Sequence, residues 1–299
     1  MIATTPTREG GGLTRHAFGA MGTEIEVLIA SDDAEPVVFD VAEAEFERLE
    51  SLFSRFRPES ELSRVNESGR QPVSRELFEL LELALTGRDA TGGRFDPTVH
   101  DAIVAAGYDR TFEDIVDASS PPPARPCGGE VLLDATRRVV ELAPQVRLDL
   151  GGIAKGYSAD RVCALLSEHG SCLVNAGGDI AVHGLLGDQP WPVAVALPDG
   201  AFTVVLAAGA LATSGTDGRA WLQSGLPRHH LIDPRTGEPA ETDLVRVTAA
   251  GSTAVEAEIW AKALLLAGER EAAAEAEARG IPCVLVTRDG RTRLEGGLG

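Results

Sequence analysis

The stretch LDLGGIAKGYSADRV, residues 148–162, carries the strongest signals for how this chain folds and what it binds. Leu148 and Leu150 predict a strand, and a helix is expected from about Tyr157. Three glycines between them permit close backbone approach: Gly151, Gly152 and Gly156. The N-terminal amides of such a helix point back at the turn, and Lys155 adds a cation, so the stretch suits a phosphate. It is not a Walker loop, because GxxxxGK[ST] is absent, and many glycine-rich turns have no function.

The scarcity of lysine adds to this signal. Lysine and arginine together number 27 in 299 residues, and only Lys155 and Lys262 are lysines. Arginine is a wide planar fork, whereas lysine carries a compact ammonium on a flexible stem. A chain that otherwise uses arginine is expected to need the compact ammonium at these two places, although codon bias and chance give the same pattern.

Composition bounds the class of protein. The chain is 43% hydrophobic, which is enough for a core, and its net charge of −19 argues against nucleic acid and anionic membranes as partners. Four cysteines without a CxxC pair predict buried thiols in a reducing compartment. Neither a signal-peptide core nor a run of about 18 apolar residues occurs, so we expect a cytoplasmic protein without a membrane span.

The order of predicted elements is mixed and favours the α+β class over strict β-α-β alternation. Residues 16–30 open as a strand, a helix is expected from about Pro36 to Phe53, and the last residues predict a hairpin with an Asp-Gly turn. Residues 1–14 are expected to form a flexible tail, residues 15–299 a single domain, and the Pro/Gly-rich residues 118–129 a surface loop.

Three further positions carry possible chemistry. Asp179 follows two glycines in LVNAGGDIAVHG, where it suits ribose hydroxyls or an exocyclic amine, or a simple Asx turn. His229 and His230 stand beside the Asp233-Pro234 turn, where one of them could be a general base or merely packed. Asp96-Pro97 is a rigid turn that needs no function.

Glu258 and Lys262 lie four residues apart in an apolar helix, so they share one face. They form either an ion pair at the polar edge of that helix or part of a site.

Several strings in this order resemble the ApbE family, the flavin transferases that attach FMN to proteins. The strings are AMGTEIEV, FSRFRPESELSRVN, FDPTV, LDLGGIAKGYSADRV, VNAGGDIAV, TSG and HHLIDPRTGEP, followed by the apolar helix. The resemblance covers roughly residues 16–290. It implies an ApbE-like α+β domain, with mixed sheets packed against helices, that binds FAD and a divalent metal, usually Mg²⁺. The FMN half is transferred to a Ser or Thr hydroxyl of an acceptor protein, and AMP is released.

The resemblance also implies roles for single residues. Those expected to border FAD, together with the two glycines of the phosphate turn, are Met21, Asp96, Gly151, Gly152, Lys155, Asp179 and Ser214. The Ala154 carbonyl and Glu258 match metal ligands, and His230 is the candidate base or phosphate contact. Lys262 stands where the family has a metal-binding Thr; we expect its ammonium to pair with Glu258 and to offer the phosphates a built-in positive charge. The competing account is that Lys262 swings out and a metal still binds through Glu258 and the Ala154 carbonyl.

Two alternatives remain open at this point. One is hydrolysis of FAD to FMN and AMP, and the other is a flavin-binding protein that has lost its metal site and its activity. Glu258 and Lys262, which depart from the family pattern of Asp and Thr, favour the second alternative; the glycine turn, Asp179 and His230 favour an enzyme.

Overall fold

The computed structural model describes residues 3–4, 12–31, 35–110, 112, 115, 127–223 and 225–297. Within them the helices are α1 Pro36–Phe53, α2 Glu61–Ser68, α3 Arg75–Ala90, α4 His100–Ala105, α5 Ala154–Leu166, α6 Ala254–Ala267 and α7 Glu269–Arg279. The strands are β1 Ala3–Thr4, β2 Thr14–Ala20, β3 Thr23–Ile29, β4 Arg70–Pro72, β5 Val131–Asp134, β6 Val139–Leu142, β7 Cys172–Ala176, β8 Asp179–His183, β9 Trp191–Leu197, β10 Gly200–Leu206, β11 Ala208–Gly215, β12 Ala220–Gln223, β13 Leu226–His229, β14 Ile232–Asp233, β15 Glu238–Pro239, β16 Leu244–Gly251, β17 Cys283–Thr287 and β18 Thr292–Glu295. The α+β prediction is confirmed.

An antiparallel sheet of eight strands forms the centre of the molecule, in the order β18-β17-β16-β11-β8-β7-β3-β2. Helices α1, α5 and α6 bury their apolar sides on one face, where Val27 and Val174 pack with Phe46 and Val162. Strands β9 and β10 cover the opposite face with Trp191. Strands in the middle of the sheet are therefore buried on both sides and are rich in Val, Ile, Leu and Ala.

The predicted strand over residues 16–30 is two strands, β2 and β3, joined by a two-residue turn. Met21 and Gly22 both have positive φ, 52° and 65°, as this kind of tight hairpin turn requires. A non-glycine residue at positive φ is disfavoured, and here the Met21 N–H donates a hydrogen bond to Glu50 Oε2 at 2.9 Å. The turn matters because Met21 lines the cavity described below.

The strand predicted at Leu148–Leu150 is wrong, although the helix that follows it is confirmed and begins at Ala154. The Asn66 side chain binds both the N–H and the carbonyl of Leu148, at 2.7 and 2.9 Å. The Asp149 N–H donates to the Pro97 carbonyl at 2.8 Å. These partners replace a sheet neighbour, so the segment is extended and buried without being a strand.

Helices α5 and α6 are joined at the cavity. Asp160 of α5 accepts hydrogen bonds from the Ala254 and Val255 N–H groups and so caps α6, at 2.8 and 3.0 Å. A Cβ at Gly156 would lie 2.7 Å from the Ala254 carbonyl oxygen and 3.0 Å from Glu258 Oε2, so only glycine permits this approach. The contact brings the residues around Lys155 and Lys262 together.

Other sequence predictions have the following outcomes. The helix Pro36–Phe53, the helix around Lys262 and the C-terminal hairpin are confirmed. The predicted tail and the loop at 118–129 fall largely outside the described residues; within the tail, Ala3 and Thr4 pair with β9. Among the helices that the structure describes, none has the length and apolarity needed to cross a membrane.

Candidate active site

A cavity of about 370 Å³ opens between the β2–β3 turn, the glycine-rich segment before α5, and α6. Its described lining contains six basic side chains and three carboxylates, although the chain as a whole is strongly acidic. The basic residues are Arg55, Arg57, Arg94, Lys155, Arg219 and Lys262; the acidic ones are Glu50, Asp96 and Asp149. A concave basic surface on an acidic protein attracts an anion.

Lys155 lines the cavity, and Asp179 and Glu258 lie buried beneath it; these three residues are named here the floor cluster. The Lys155 ammonium donates to Asp179 Oδ2 and, at 3.2 Å, to Glu258 Oε1. The Gly156 N–H donates to the other Glu258 oxygen at 3.0 Å. The Asp179 and Glu258 side chains are only 2% and 5% exposed, so these charges are largely removed from water. The two carboxylates therefore balance the positive charge of Lys155 from within the protein.

Protonation in the floor cluster follows from burial and from its charges. Burial disfavours the Lys155 ammonium, but Asp179 and Glu258 outweigh this effect and raise the pKa of Lys155. Burial and the Glu258 carboxylate together raise the pKa of Asp179 to about 7, against the opposing effect of Lys155. Lys155 is therefore firmly charged.

Lys262 lies beside the floor cluster in different surroundings. Its ammonium lies over Gly152, where an added Cβ would overlap it. Among the described residues no oxygen accepts a hydrogen bond from it, and its nearest ring, Phe95, has its centroid 5.8 Å away. Burial lowers the pKa of Lys262, with Glu258 opposing this and Lys155 adding to it. The predicted pair between Glu258 and Lys262 is wrong, because Glu258 binds Lys155 and the Gly156 N–H instead.

Arg219 and Arg55 are cavity residues that sequence reasoning missed. Arg219 donates to the Gly22 carbonyl at 2.9 Å and, among the described residues, has no carboxylate within ion-pair distance. Arg55 Nε lies 2.7 Å from Asp149 Oδ2, and its guanidinium stacks over Phe56 and Tyr108. Arg55 lies within the string FSRFRPESELSRVN, which carries part of the resemblance, but nothing local marks it or Arg219 as a cavity residue.

The two neighbouring histidines lie in different surroundings. His230 lines the cavity, and its Nδ1 is buried without a hydrogen-bond partner among the described residues. His229 lies outside that lining, and its Nε2 is 3.1 Å from the Ala240 carbonyl oxygen. Burial, together with the positive charges of Arg219 and Lys262, lowers the pKa of His230 to about 3. His230 is therefore a neutral imidazole facing the cavity.

The remaining predicted FAD neighbours divide into two groups. Met21, Asp96, Gly151 and Gly152 line the cavity, and Asp96 Oδ1 is held by the Thr98 N–H and hydroxyl at 2.8 and 2.7 Å. Ser214 does not belong to the lining; it is buried on β11 opposite Val247. Asp179 reaches the cavity only through Lys155, since it too is absent from the lining.

The residues present do not fit a divalent metal at the predicted place. The Ala154 carbonyl accepts a hydrogen bond from the Ser158 hydroxyl at 2.8 Å, and both Glu258 oxygens already accept hydrogen bonds. Lys262 is a cation and offers no acceptor. Within the described residues no group of three His, Cys, Asp or Glu side chains has the arrangement of a metal site.

Comparison with known proteins places this geometry in a family. The model of the ApbE family matches residues 21–285, a span that includes every cavity residue named above. The chain belongs to the ApbE family. A relative from Treponema pallidum, named FAD:protein FMN transferase, is 32% identical over 280 residues, covering 84% of this chain and 77% of the relative. Another of the same name from Vibrio cholerae is 30% identical over 256 residues, covering 81% and 77%.

Solved structures agree with the family assignment. The ApbE protein from Thermotoga maritima superposes with a TM-score of 0.85 at 27% identity, covering 95% of this chain and 97% of that one. The ApbE fold is therefore the fold of this chain. Residues from several of the family strings, among them Met21, Asp96 and Lys155, line its cavity.

Proposed function

We propose that this ApbE-family chain is an FAD:protein FMN transferase, which moves FMN from FAD to a Ser or Thr hydroxyl of an acceptor protein and releases AMP. The observation that carries the proposal is the cavity, with six basic residues against three carboxylates in a chain of net charge −19. Relatives that carry this activity in their name cover most of the chain and support the same reading.

Two cations of the cavity are free to bind the pyrophosphate of FAD. Lys262 and Arg219 alone among the six lack a carboxylate partner within the described residues, while the other four are held in ion pairs. Two unneutralised cations match the two negative charges of a pyrophosphate diester. Tyr108 and Phe56 offer aromatic faces on which a flavin or adenine ring can stack.

The reaction balances as an in-line displacement at the phosphorus of the FMN half. The acceptor hydroxyl oxygen forms a bond to that phosphorus, the bond to the bridging oxygen breaks, and AMP leaves with the electron pair. Lys262 and Arg219 stabilise the charge that spreads over the phosphate oxygens. The hydroxyl proton passes to His230, whose pKa rises when the negative pyrophosphate lies beside it. A neutral imidazole is the form that accepts a proton.

The reaction also has a proposed place in the cell. Cys163 and Cys172 are buried thiols whose sulfurs lie 3.7 Å apart and are not joined in a disulfide. Neighbouring reduced thiols are typical of a reducing compartment, and they support the cytoplasm as the location.

The direct experiment incubates the chain with FAD and with the acceptor protein of the Vibrio cholerae relative. Covalent flavin on the acceptor is read by in-gel fluorescence, and AMP by chromatography. The proposal predicts flavin on the acceptor and an equal amount of AMP. AMP without labelled acceptor would show hydrolysis of FAD instead. If neither labelled acceptor nor AMP is formed, the result contradicts the proposal that the chain is an enzyme of this kind.

His230 is tested in the same assay. His230→Gln is expected to slow transfer by about 100-fold, because a general base contributes about this factor. His229→Gln is the matched control, since that ring lies outside the cavity lining, and it should keep a near-normal rate. Equal rates in both variants would make His230 a structural residue.

A further inference from the structure

The Lys262 ammonium lies on the cavity wall beside Gly152. Its Nζ lies where a Cβ of Gly152 would be, so the absence of a side chain at Gly152 is what makes room for it. Lys262 sits in the third turn of α6, a helix capped by Thr253 and held to α5 by Asp160. The backbone of Lys262 is therefore held by two packed helices and not by a mobile loop.

This ammonium has hydrogen-bonding capacity that the protein does not use. An ammonium carries three donors, and within the described residues none of them meets an acceptor. Lys155, on the same cavity, has both of its neighbouring carboxylates at hydrogen-bond distance. A charge that is enclosed by protein and left without partners is costly unless a ligand supplies them.

The place that suits a divalent cation in this fold is already filled by the chain's own groups. Glu258 points its oxygens at Lys155 and at the Gly156 N–H, and the Ala154 carbonyl accepts from Ser158. A cation brought into this place would displace those hydrogen bonds and would face the Lys262 ammonium at close range. Like charges at short distance in a cavity repel strongly.

We propose that the Lys262 ammonium takes the part of a divalent metal ion, so that this chain binds the pyrophosphate of FAD without a metal. The inference rests on the proposed function, and it names how that function's substrate is held. An ammonium has half the charge of Mg²⁺, and Arg219 supplies the second unpaired positive charge on the same cavity. Together they provide the charge that one divalent ion would bring.

The test is an FAD titration, followed by flavin fluorescence, in EDTA and again in excess Mg²⁺. The wild-type chain is expected to bind FAD with a Kd that differs by less than about twofold between the two conditions. Lys262→Met removes the charge and keeps a similar volume; it should raise the Kd about tenfold or more in both conditions. Arg137→Met is the matched control, because Arg137 is exposed in the turn between β5 and β6, and it should leave the Kd unchanged.

A second variant, Lys262→Thr, tests the proposal by binding measurements that do not require enzyme activity. Lys262→Thr removes the ammonium and offers a hydroxyl oxygen, so FAD binding should become dependent on Mg²⁺, and calorimetric titration with Mg²⁺ should show binding that the wild-type chain lacks. Wild-type FAD affinity that is lost in EDTA and restored by Mg²⁺ would overturn the inference and leave the proposed function standing. No FAD binding in either condition would overturn both.

Discussion

Lys155 and Lys262 line the same cavity, but the protein treats their charges in opposite ways. Lys155 lies between Asp179 and Glu258, which raise its pKa and neutralise it. Lys262 meets no acceptor among the described residues, and burial lowers its pKa. The first lysine holds two helices and the sheet together at the cavity floor, and the second leaves its charge for a ligand. The difference shows that position in a cavity does not by itself make a cation a ligand-binding group.

The largest expected effect is a difference in folding stability between two variants, each of which replaces one of these lysines with methionine. Lys155→Met leaves Asp179 and Glu258 buried side by side without a cation, so the free energy of unfolding should fall by about 3–5 kcal/mol. Lys262→Met removes a buried charge that has no partner among the described residues, so the free energy of unfolding should stay the same or rise. Urea denaturation followed by circular dichroism measures both. Equal losses would abolish the distinction.

Two glycines, Gly152 beside Lys262 and Gly156 beside Glu258, allow a second test of the difference between the two lysines. Gly156→Ala places a Cβ against the Ala254 carbonyl and Glu258, and this overlap should cost about 1–3 kcal/mol of stability. Gly152→Ala meets only the Lys262 ammonium, the far end of a flexible side chain, which moves aside at little cost in stability. Gly152→Ala should therefore weaken FAD binding more than it weakens the fold. The reverse pattern, measured by thermal unfolding and FAD titration, would contradict the account.

The smallest expected effect concerns His230, which lies on the Lys262 side of the cavity. An unfolded histidine has a pKa of about 6.5, whereas burial, Arg219 and Lys262 lower the pKa of His230 to about 3 in the fold. The unfolded chain therefore binds more protons as the pH falls below 6.5, and the native state loses stability there. This group should contribute about 1.4 kcal/mol of that loss between pH 7.5 and 5.5.

His230→Gln should remove this part of the pH dependence. The comparison is the difference between wild-type and variant unfolding free energies at the two pH values, with His229→Gln as the control of smaller effect. If the loss of unfolding free energy between pH 7.5 and 5.5 is the same in His230→Gln as in the wild-type chain, then His230 titrates normally in the native state. Arg219 and Lys262 would then not make its surroundings positive.

Much of the fold could be predicted because its signals are local. The period of apolar residues predicted the helices at 36–53 and around Lys262, and the Asp-Gly dipeptide predicted the last hairpin. The strand at Leu148–Leu150 was wrong because Asn66, more than eighty residues earlier in the chain, supplies its hydrogen bonds. No local pattern carries that information.

Only part of the candidate site could be predicted, because only some of its residues lie in local sequence patterns. The glycine turn, both lysines and His230 stand in recognisable strings, and they meet at one cavity. Which carboxylate holds which lysine depends on how closely α5 and α6 approach, so the sequence spacing of Glu258 and Lys262 gave the wrong pair. Arg219 was not predicted because it reaches the cavity only through a long-range contact, the hydrogen bond that it donates to the Gly22 carbonyl.

The central claim, that Lys155 is structural while Lys262 binds the substrate's phosphates, is tested most directly by a crystal structure of the chain with FAD, grown in EDTA. The account predicts Lys262 Nζ about 3 Å from a pyrophosphate oxygen, with Lys155 still bound to Asp179 and Glu258. A second crystal soaked in Mn²⁺ should show no anomalous peak between Glu258 and the phosphates. An ion at that position, or Lys155 turned from its carboxylates to the phosphates, would contradict the claim.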